Sequence, residues 1–450
     1  MVRPHWILYL WLVVKDKNHK EINSMNNNFK RYIIFWLSQA LSQLGSSMTG
    51  FALILWAYTQ NSSAMTVSLM SFFNYMPYII VSLFAGTFVD NHSKKKIMLI
   101  SDSIAAICSV AILVLSAGSM LQIWNIYLVN FIIGFMNAFQ GPASSVAIGK
   151  IVPEDKMAQV SGMNSFSGNL TAVLSPILAA SLFAMGGLTF ILTIDLLSFV
   201  FAFGVLLFVL KIPEDIPQKA EKKSILAGCT EGFWYLRSNR GIFMIILTMA
   251  LLNFFSRLTY ENILSPMILS RSGNDSVALG IVNAVMGIAG IIGGIIVSTG
   301  KVKGNSAKMI YGSALLSFLL GDIMMGAGRN VAVWACAGFA ASFPIAFINA
   351  GQMVILYRCV PEKIQGRIFA VRNALQFSTI PLGILLGGFL ADYVFEPFMM
   401  TENPVADRLR MIVGTGAGSG MAVMFLCTGI LGALFSLVSY HQKDIRSLGE

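Results

Sequence analysis

The sequence predicts an all-α membrane protein with twelve transmembrane helices, arranged as two six-helix halves. Of its 450 residues, 56% are hydrophobic and only 12% are charged, about half the charged fraction of an ordinary soluble domain. The apolar residues also form runs of roughly 20 or more, the length of helix that spans a bilayer. The loops between these runs alternate between basic and nearly uncharged. Together these observations predict a chain that crosses the membrane many times.

Hydropathy divides the chain into twelve spans. In the first half they cover residues 32–58, 66–89, 97–118, 122–148, 158–184 and 188–210, and in the second half residues 241–267, 277–299, 309–327, 331–357, 366–394 and 411–439. The predicted domains are accordingly a cytoplasmic N-terminal extension (1–31), a six-helix half (32–210), a cytoplasmic linker (211–240), a second half (241–439) and a cytoplasmic tail (440–450). Either Met1 or Met25 is the natural start.

The basic residues indicate the orientation of the chain. Nearly all Lys and Arg outside the spans lie on one set of loops, while the other set carries only Arg271, Arg329, Arg408 and Arg410. Cytoplasmic loops are the ones enriched in Lys and Arg. Both termini are therefore expected in the cytoplasm, with the protein in the cell membrane.

Two short matches at the same spacing indicate that the halves are repeats. The segment Ala85-Gly86-Thr87-Phe88-Val89 aligns with Gly293-Gly294-Ile295-Ile296-Val297, and Lys150–Glu154 aligns with Arg358–Glu362. Both pairs fall at predicted cytoplasmic helix ends. Parallel repeats of this kind are found in transporters whose halves are related by an axis along the membrane normal.

Several kinds of function are excluded or disfavoured by the residues present. The sequence contains no G-x-x-x-x-G-K-[ST] phosphate loop, so energy from ATP bound on this chain is not expected. All four histidines lie outside the spans, so an intramembrane metal site is not expected, nor is a cofactor. The net charge of +10 is spread over short loops, which argues against nucleic-acid binding.

The loop after the second span carries a more specific pattern. Gly86 is followed by Asp90, and Lys94 and Lys95 come after it. This stretch resembles the signature loop G-x-L-x-D-R-x-G-R-K of the major facilitator superfamily, although Phe88, Asn91 and Ser93 depart from it. The resemblance implies the major facilitator fold, with these four residues forming a cytoplasmic gate. Asp102 either stabilises the start of the third helix or forms a gate-side salt bridge.

Polar residues on the first span form a stripe. Gln39 and Gln43 share a helix face, with Ser46 on the same flank. Such a stripe either hydrogen-bonds to neighbouring helices or lines a central substrate cavity. Residues 35–53, together with Ser101-Asp102 and Ile194–Phe199, resemble the macrolide-efflux-like branch of the superfamily. Asn164 in the fifth span is a further predicted cavity residue.

Charged residues inside spans are candidates for function, because they are costly in lipid. They are Asp195, Arg257, Glu261 and Asp322. Arg257 and Glu261 are four residues apart, so they either form a structural pair or take part in transport, with Arg257 lining the cavity. The three acids are the candidate proton carriers.

The sequence and the resemblance together predict a secondary transporter that exports hydrophobic drug-like compounds such as macrolides against proton entry, by alternating access. Its expected partners are a small-molecule substrate, protons and the lipid bilayer, and it is expected to be a monomer. Alternatives are a siderophore exporter or nutrient importer on the same fold. A non-transporting membrane sensor or a membrane enzyme is the alternative of another class.

Overall fold

The computed structural model describes residues 5–153, 156–210, 212, 234–299 and 304–449. Side chains are described from residue 29 onward, apart from those of residues 83, 87, 90, 157, 158, 161, 362–367, 369, 370 and 449. Most of the predicted linker, and residues 1–4 of the predicted N-terminal extension, lie outside the described residues. All regular elements in the described part of the chain are helices.

The helices of the first half are long and mostly continuous. They are α1 (His5–Asn61), α2 (Ala64–Asp90), α3 (Lys94–Ala117), α4 (Ile123–Ile151) and α5 (Met157–Gly204), which continues as a π-helical turn over Val205–Val209. Gly187 interrupts α5 with a φ of 65° and a ψ of −165°. Residues with side chains rarely adopt this conformation, so the glycine allows the chain to reverse between two spans.

The helices of the second half are more often interrupted. They are α6 (Arg240–Thr259), α7 (Leu264–Arg271), α8 (Ser276–Ser298), α9 (Ser306–Leu316), a π-helical turn (Ser317–Asp322), α10 (Ile323–Ala327), α11 (Val331–Ser342), α12 (Ile345–Cys359), α13 (Glu362–Leu390), a second π-helical turn (Ala391–Phe395), α14 (Glu396–Met400), α15 (Pro404–Val413), α16 (Ser419–Tyr440) and α17 (Lys443–Gly449). Consecutive short helices combine into single spans, such as Arg240–Arg271 and Ser306–Ala327.

Twelve passes follow from these elements. Ten of the described helical stretches are long and apolar enough to cross a membrane, and one of them, Gly162–Val209, makes two passes because it reverses at Gly187. Helix α1 supplies the remaining pass. The predicted twelve-helix fold with two six-helix halves is confirmed.

The predicted start of the last span is wrong. Residues 411–413 belong to α15, a short separate helix, and the span itself begins at Ser419. Gly414, Gly416 and Gly418 all have positive φ, which ends α15 and turns the chain before α16 begins. Hydropathy alone did not separate the two helices, because Met411, Ile412 and Val413 are apolar.

The two halves meet at one face of the molecule. This face carries the turn Asn61–Ser63 between α1 and α2 and is named the outer face; the opposite face, with Asn91–Ser93, is named the inner face. A single cluster of buried side chains joins the halves near the outer face, and includes Leu55 and Val67 from the first half with Ile263 and Phe425 from the second. Near the inner face, the described buried clusters each belong to one half.

Three glycines of α8 show how the helices diverge. Gly280, Gly287 and Gly294 are spaced by seven residues and share one helix face. A Cβ atom on Gly280 would lie 3.0 Å from the carbonyl oxygen of Pro176, and one on Gly287 would lie 2.9 Å from Val173. A Cβ on Gly294 would meet nothing within 4 Å. The fifth and eighth spans therefore touch toward the outer face and separate toward the inner face, so the structure is open inward.

Candidate transport site at the interrupted seventh span

The seventh span is interrupted at Tyr260–Ile263, between α6 and α7. Three consecutive polar residues, Tyr260, Glu261 and Asn262, occupy this break. Successive residues in a helical turn point about 100° apart, so each of these side chains reaches a different neighbour. Broken helices near the interface of repeats are common substrate and ion sites in transporters.

Glu261 links the two halves. Its carboxylate pairs with Arg257 one turn earlier on the same span, as their spacing predicted. Its second oxygen accepts a hydrogen bond of 2.8 Å from the hydroxyl of Tyr75 in α2. The Arg257 and Glu261 side chains are 29% and 24% exposed, so the ion pair is only partly shielded. A carboxylate, a guanidinium group and a phenol therefore meet at the boundary between the two halves.

Asn262 makes the neighbouring contact between halves. Its side-chain nitrogen donates to the Ser68 hydroxyl and to the carbonyl of Ile384, both at 2.7 Å. Asn262 and Ser68 are buried, so neither bond is exchanged for water. Gly388 packs directly against Ser68, where any Cβ would overlap it. The second, seventh and eleventh spans are thereby held together on the outer side of Glu261.

Tyr260 points into the interior of its own half, the second half. Its hydroxyl faces the carboxyl group of Asp322 in the π-helical turn of the ninth span. Asp322 accepts a hydrogen bond of 2.8 Å from Thr428 of α16. The Tyr260 hydroxyl and the other Asp322 oxygen are buried, and within the described residues neither completes a hydrogen bond. Asp322 therefore lies inside the second half, and its partners among the described residues belong to that half.

Asp195 is buried inside the first half. Its two oxygens accept hydrogen bonds from Ser46 at 3.1 Å and from Thr49 at 2.9 Å, both on α1. The close approach of α1 is possible because Gly45 faces Asp195 and Ser198, where a Cβ would lie 2.9 Å from the carboxylate. The first and sixth spans are tied together by this group.

The other predicted cavity residues lie nearer the inner face. Gln43 is exposed and Gln39 is half-buried, with its amide nitrogen lacking a partner among the described residues. Asn164 is exposed and accepts a hydrogen bond of 3.3 Å from Tyr32 of α1. These three residues lie on the first and fifth spans, whereas Arg257 lies across the gap on the seventh.

The predicted gate residues lie at the inner end of the first half. Lys95 donates to the carbonyls of Leu207 at 2.9 Å and Leu210 at 2.7 Å, and so caps the end of the sixth span. Lys94 is buried, and a Cβ on Gly86 would meet nothing within 4 Å. Asp102 accepts a hydrogen bond of 2.5 Å from Gln140 of α4. The Asp90 side chain lies outside the described residues.

Two of the residues that bridge the halves were not anticipated from sequence. Tyr75 was not distinguishable from the aromatic residues that pack in spans or face lipid. Asn262 directly follows Glu261, and this adjacency of two polar residues inside an apolar span is the signal that could have identified it. Both act through pairing with distant segments, which local sequence patterns do not show.

Twelve helices in two halves, with a partly shielded ion pair and buried polar groups at the boundary between them, define a multi-pass membrane transporter rather than an enzyme. The chain belongs to the Major Facilitator Superfamily, whose family model matches residues 35–384. It is 26% identical over 378 residues to "Macrolide efflux protein A" of Streptococcus pyogenes, covering 82% of this chain and 91% of that protein.

Two further comparisons give another efflux relative and a similar fold. The chain is 24% identical over 393 residues to "Multidrug efflux pump Tap" of Mycolicibacterium fortuitum, with 82% of this chain and 91% of the relative covered. The fold is similar to that of a bacterial homolog of the human lysosomal transporter Spinster, solved in an inward-facing and unoccupied conformation. The TM-score is 0.62 at 14% identity, covering 94% of this chain and 98% of that one.

Proposed function

We propose that this protein exports hydrophobic drug-like compounds such as macrolides in exchange for protons, with Glu261 as the proton-coupling acid. The observation that carries the proposal is the contact of Glu261 with both halves at once, through Arg257 and Tyr75. The efflux functions named for two relatives support the direction and the class of cargo.

Protonation of Glu261 has a direct structural consequence. A neutral carboxyl group loses most of its attraction for Arg257, and its remaining hydrogen bonds rearrange. Because Tyr75 belongs to the first half, this change weakens a bond that holds the halves together. Proton binding and the opening of the outer face are thereby linked, so a proton binds more tightly when the outer face is open.

The other two acids support this role less well. The described hydrogen bonds to Asp195 come from its own half, from Ser46 and Thr49 of α1 and from Ser109 of α3. Asp322 lies among Tyr260 and Thr428 of the second half. A change of protonation at either acid acts within one half. It reaches the boundary between halves only through neighbouring residues.

We propose the following arrangement around this centre. Gln39, Gln43 and Asn164, with Arg257, line the cavity that opens to the inner face, which is the cytoplasmic side of the cell membrane. Gly86, Asp90, Lys94 and Lys95 form the gate that closes this side in the opposite state. The transporter works as a monomer, because its cavity lies between its own two halves.

The test is transport by Glu261→Gln in inside-out vesicles with an acidic lumen. The wild type is expected to accumulate radiolabelled macrolide in the lumen. The amide keeps a hydrogen bond to Tyr75 but does not titrate, so gradient-driven accumulation is expected to fall by about tenfold or more. Exchange of labelled for unlabelled macrolide, which needs no net proton movement, is expected to persist.

A matched control is Glu402→Gln, which removes an acid from an exposed loop on the outer face and is expected to leave transport unchanged. Retention of gradient-driven accumulation by Glu261→Gln would overturn the coupling role. Accumulation in right-side-out vesicles with the proton gradient directed inward would indicate an importer instead.

A further inference from the structure

A carboxylate of the second half caps a helix of the first half at the outer face. Asp392, in the π-helical turn that ends the eleventh span, accepts three hydrogen bonds from the start of α2. They come from the Ser63 hydroxyl at 2.6 Å, the Ala64 amide at 3.1 Å and the Met65 amide at 2.9 Å. The first amides of a helix have no partner within the helix, so Asp392 supplies one from the other half.

The cap is complete and well aligned. Ser63 itself accepts from the Thr66 amide at 3.1 Å while its hydroxyl proton points to Asp392. The carboxylate also lies at the positive end of the α2 dipole, where negative charge is favoured. The amides of residues 64, 65 and 66 and the Ser63 hydroxyl therefore all donate hydrogen bonds. Three of these four bonds go to the Asp392 carboxylate and stabilise its negative charge.

One turn later, Glu396 does the same within its own half. Its carboxylate accepts from the Met421 amide at 3.0 Å and faces the amides of Gly418 and Gly420, at the start of α16. Asp392 and Glu396 are thus two acids at the end of the same span, and each caps the start of another helix. Asp392 caps a helix of the first half, whereas Glu396 caps a helix of the second half.

We propose that Asp392 is the latch that holds the outer face closed. In alternating access, the halves must separate at the outer face when the inner face closes. Every bond from Asp392 to residues 63–65 crosses that boundary, so opening breaks all three and leaves the start of α2 to water. The Glu396 bonds remain intact, because they move with the second half. This inference rests on transport by alternating access, and on neither the cargo nor the coupling ion.

The closure around the latch agrees with this role. Ser68 lies less than two turns of α2 after Ser63. It forms a buried hydrogen bond with Asn262 and is contacted by Gly388. Val67 is fully buried in the cluster that joins the halves. The apolar part of this packing is non-directional, whereas the Asp392 bonds are lost as a group once the helix ends separate. The latch therefore makes closure sensitive to a single side chain.

Cysteine labelling tests the latch in the full chain. The five native cysteines are replaced by serine, and the protein is placed in nanodiscs, where a polar maleimide reaches both faces. Val67→Cys reports on opening at the outer face, and Ser165→Cys, exposed on the fifth span, reports on the inner opening. Asp392→Asn is expected to raise labelling of the outer reporter about fivefold and to lower that of the inner reporter.

The reason is that asparagine has one acceptor oxygen instead of two, so its NH₂ group faces at least one of the donors that Asp392 accepts from, and it lacks the negative charge. Ser63→Ala, which removes the shortest bond, is expected to shift both reporters in the same direction by a smaller factor. Combined with Asp392→Asn it should add little, since both changes break one contact.

Glu396→Gln is the matched control, because it removes a capping acid from the same span end whose described hydrogen bonds all lie within the second half. It is expected to leave the ratio of outer to inner labelling unchanged. Equal ratios in Asp392→Asn and the unmodified protein would overturn the proposal. So would increased labelling at both reporters, which indicates loosening of the fold instead of a shift between two states. The labelling assay contains neither macrolide nor a proton gradient, so its outcome is separate from that of the transport test.

Discussion

Four acidic side chains of this protein fall into two groups, according to whether their hydrogen-bond partners lie in the same half. Asp195 and Asp322 have their described partners within one half, whereas Glu261 and Asp392 have partners in both. Bonds of the first group persist through a rigid-body movement of the halves. Bonds of the second group must break and reform, so only they distinguish one state from the other.

Asp195 provides a test of this distinction. Asp195→Asn is expected to retain gradient-driven transport within about twofold, because the Ser46 and Thr49 hydroxyls can each donate or accept, and so rotate to pair with an amide. Asp195→Leu leaves the buried Thr49 hydroxyl without that partner. It is expected to lower the free energy of unfolding by about 1 to 2 kcal/mol.

The measurements are vesicle transport for the amide variant and thermal unfolding of purified protein for the leucine variant. Loss of proton-driven transport in Asp195→Asn, with normal folding and normal macrolide exchange, would make Asp195 a coupling acid and would contradict the assignment to Glu261.

At the scale of helices, small residues set where the halves touch. Gly280 and Gly287 bring α8 against the fifth span, and Gly388 brings the eleventh span against α2. All three lie on the closed, outer side. Gly294 continues the same face of α8 toward the inner side and has open space, as does Gly86 of α2. These last two glycines are the pair aligned by the internal repeat, so both are expected to form close contacts when the inner face closes.

Gly294→Leu is therefore expected to hold the transporter in the inward-open state. The side chain has room in this structure, so thermal stability should stay within about 0.5 to 1 kcal/mol of the wild type. When the inner face closes, the leucine side chain would keep the fifth and eighth spans apart and so oppose closure. Transport is therefore expected to fall by about tenfold or more.

Gly287→Leu is the comparison variant, one heptad away on the same face. Already a Cβ atom there would lie 2.9 Å from Val173 and 3.4 Å from the backbone of Ala172, which leaves no room for a leucine side chain, so this variant is expected to reduce thermal stability or the amount of folded protein. Wild-type transport by Gly294→Leu would show that this face of α8 does not close against the fifth span.

For the whole molecule, local properties of the sequence were sufficient to predict the fold. Hydropathy located twelve spans, and the gap between residues 184 and 188 coincides with the reversal at Gly187. The start of α16 was missed, because positive φ at three glycines, and not polarity, separates it from α15. The ion pair of Arg257 and Glu261 was predictable, since both lie on one helix face. Tyr75 and Asp392 were not, because their roles depend on which spans become neighbours.

The distribution of basic residues gives the last prediction, the orientation in the membrane. The outer face carries few arginines, and the structure gives three of them local roles. Arg271 binds the carbonyls of Gly326 and Val413, Arg329 that of Met411, and Arg410 those of Met399 and Thr401. Each neutralises carbonyl groups at helix ends or turns, where a cation is favoured.

These three arginines therefore stabilise the local structure of the outer face. The remaining Lys and Arg lie mostly at the inner face, and this excess of positive charge predicts that the inner face is cytoplasmic. A green fluorescent protein fused after Glu450 is expected to fluoresce, because it folds in the cytoplasm, and alkaline phosphatase inserted at Glu402 is expected to be active outside. Replacing Lys94, Lys95 and Lys96 by glutamine should weaken this preference and yield a mixed population. A phosphatase active at Glu450 and inactive at Glu402 would reverse the orientation, and with it the direction of transport assigned to the inward-open cavity.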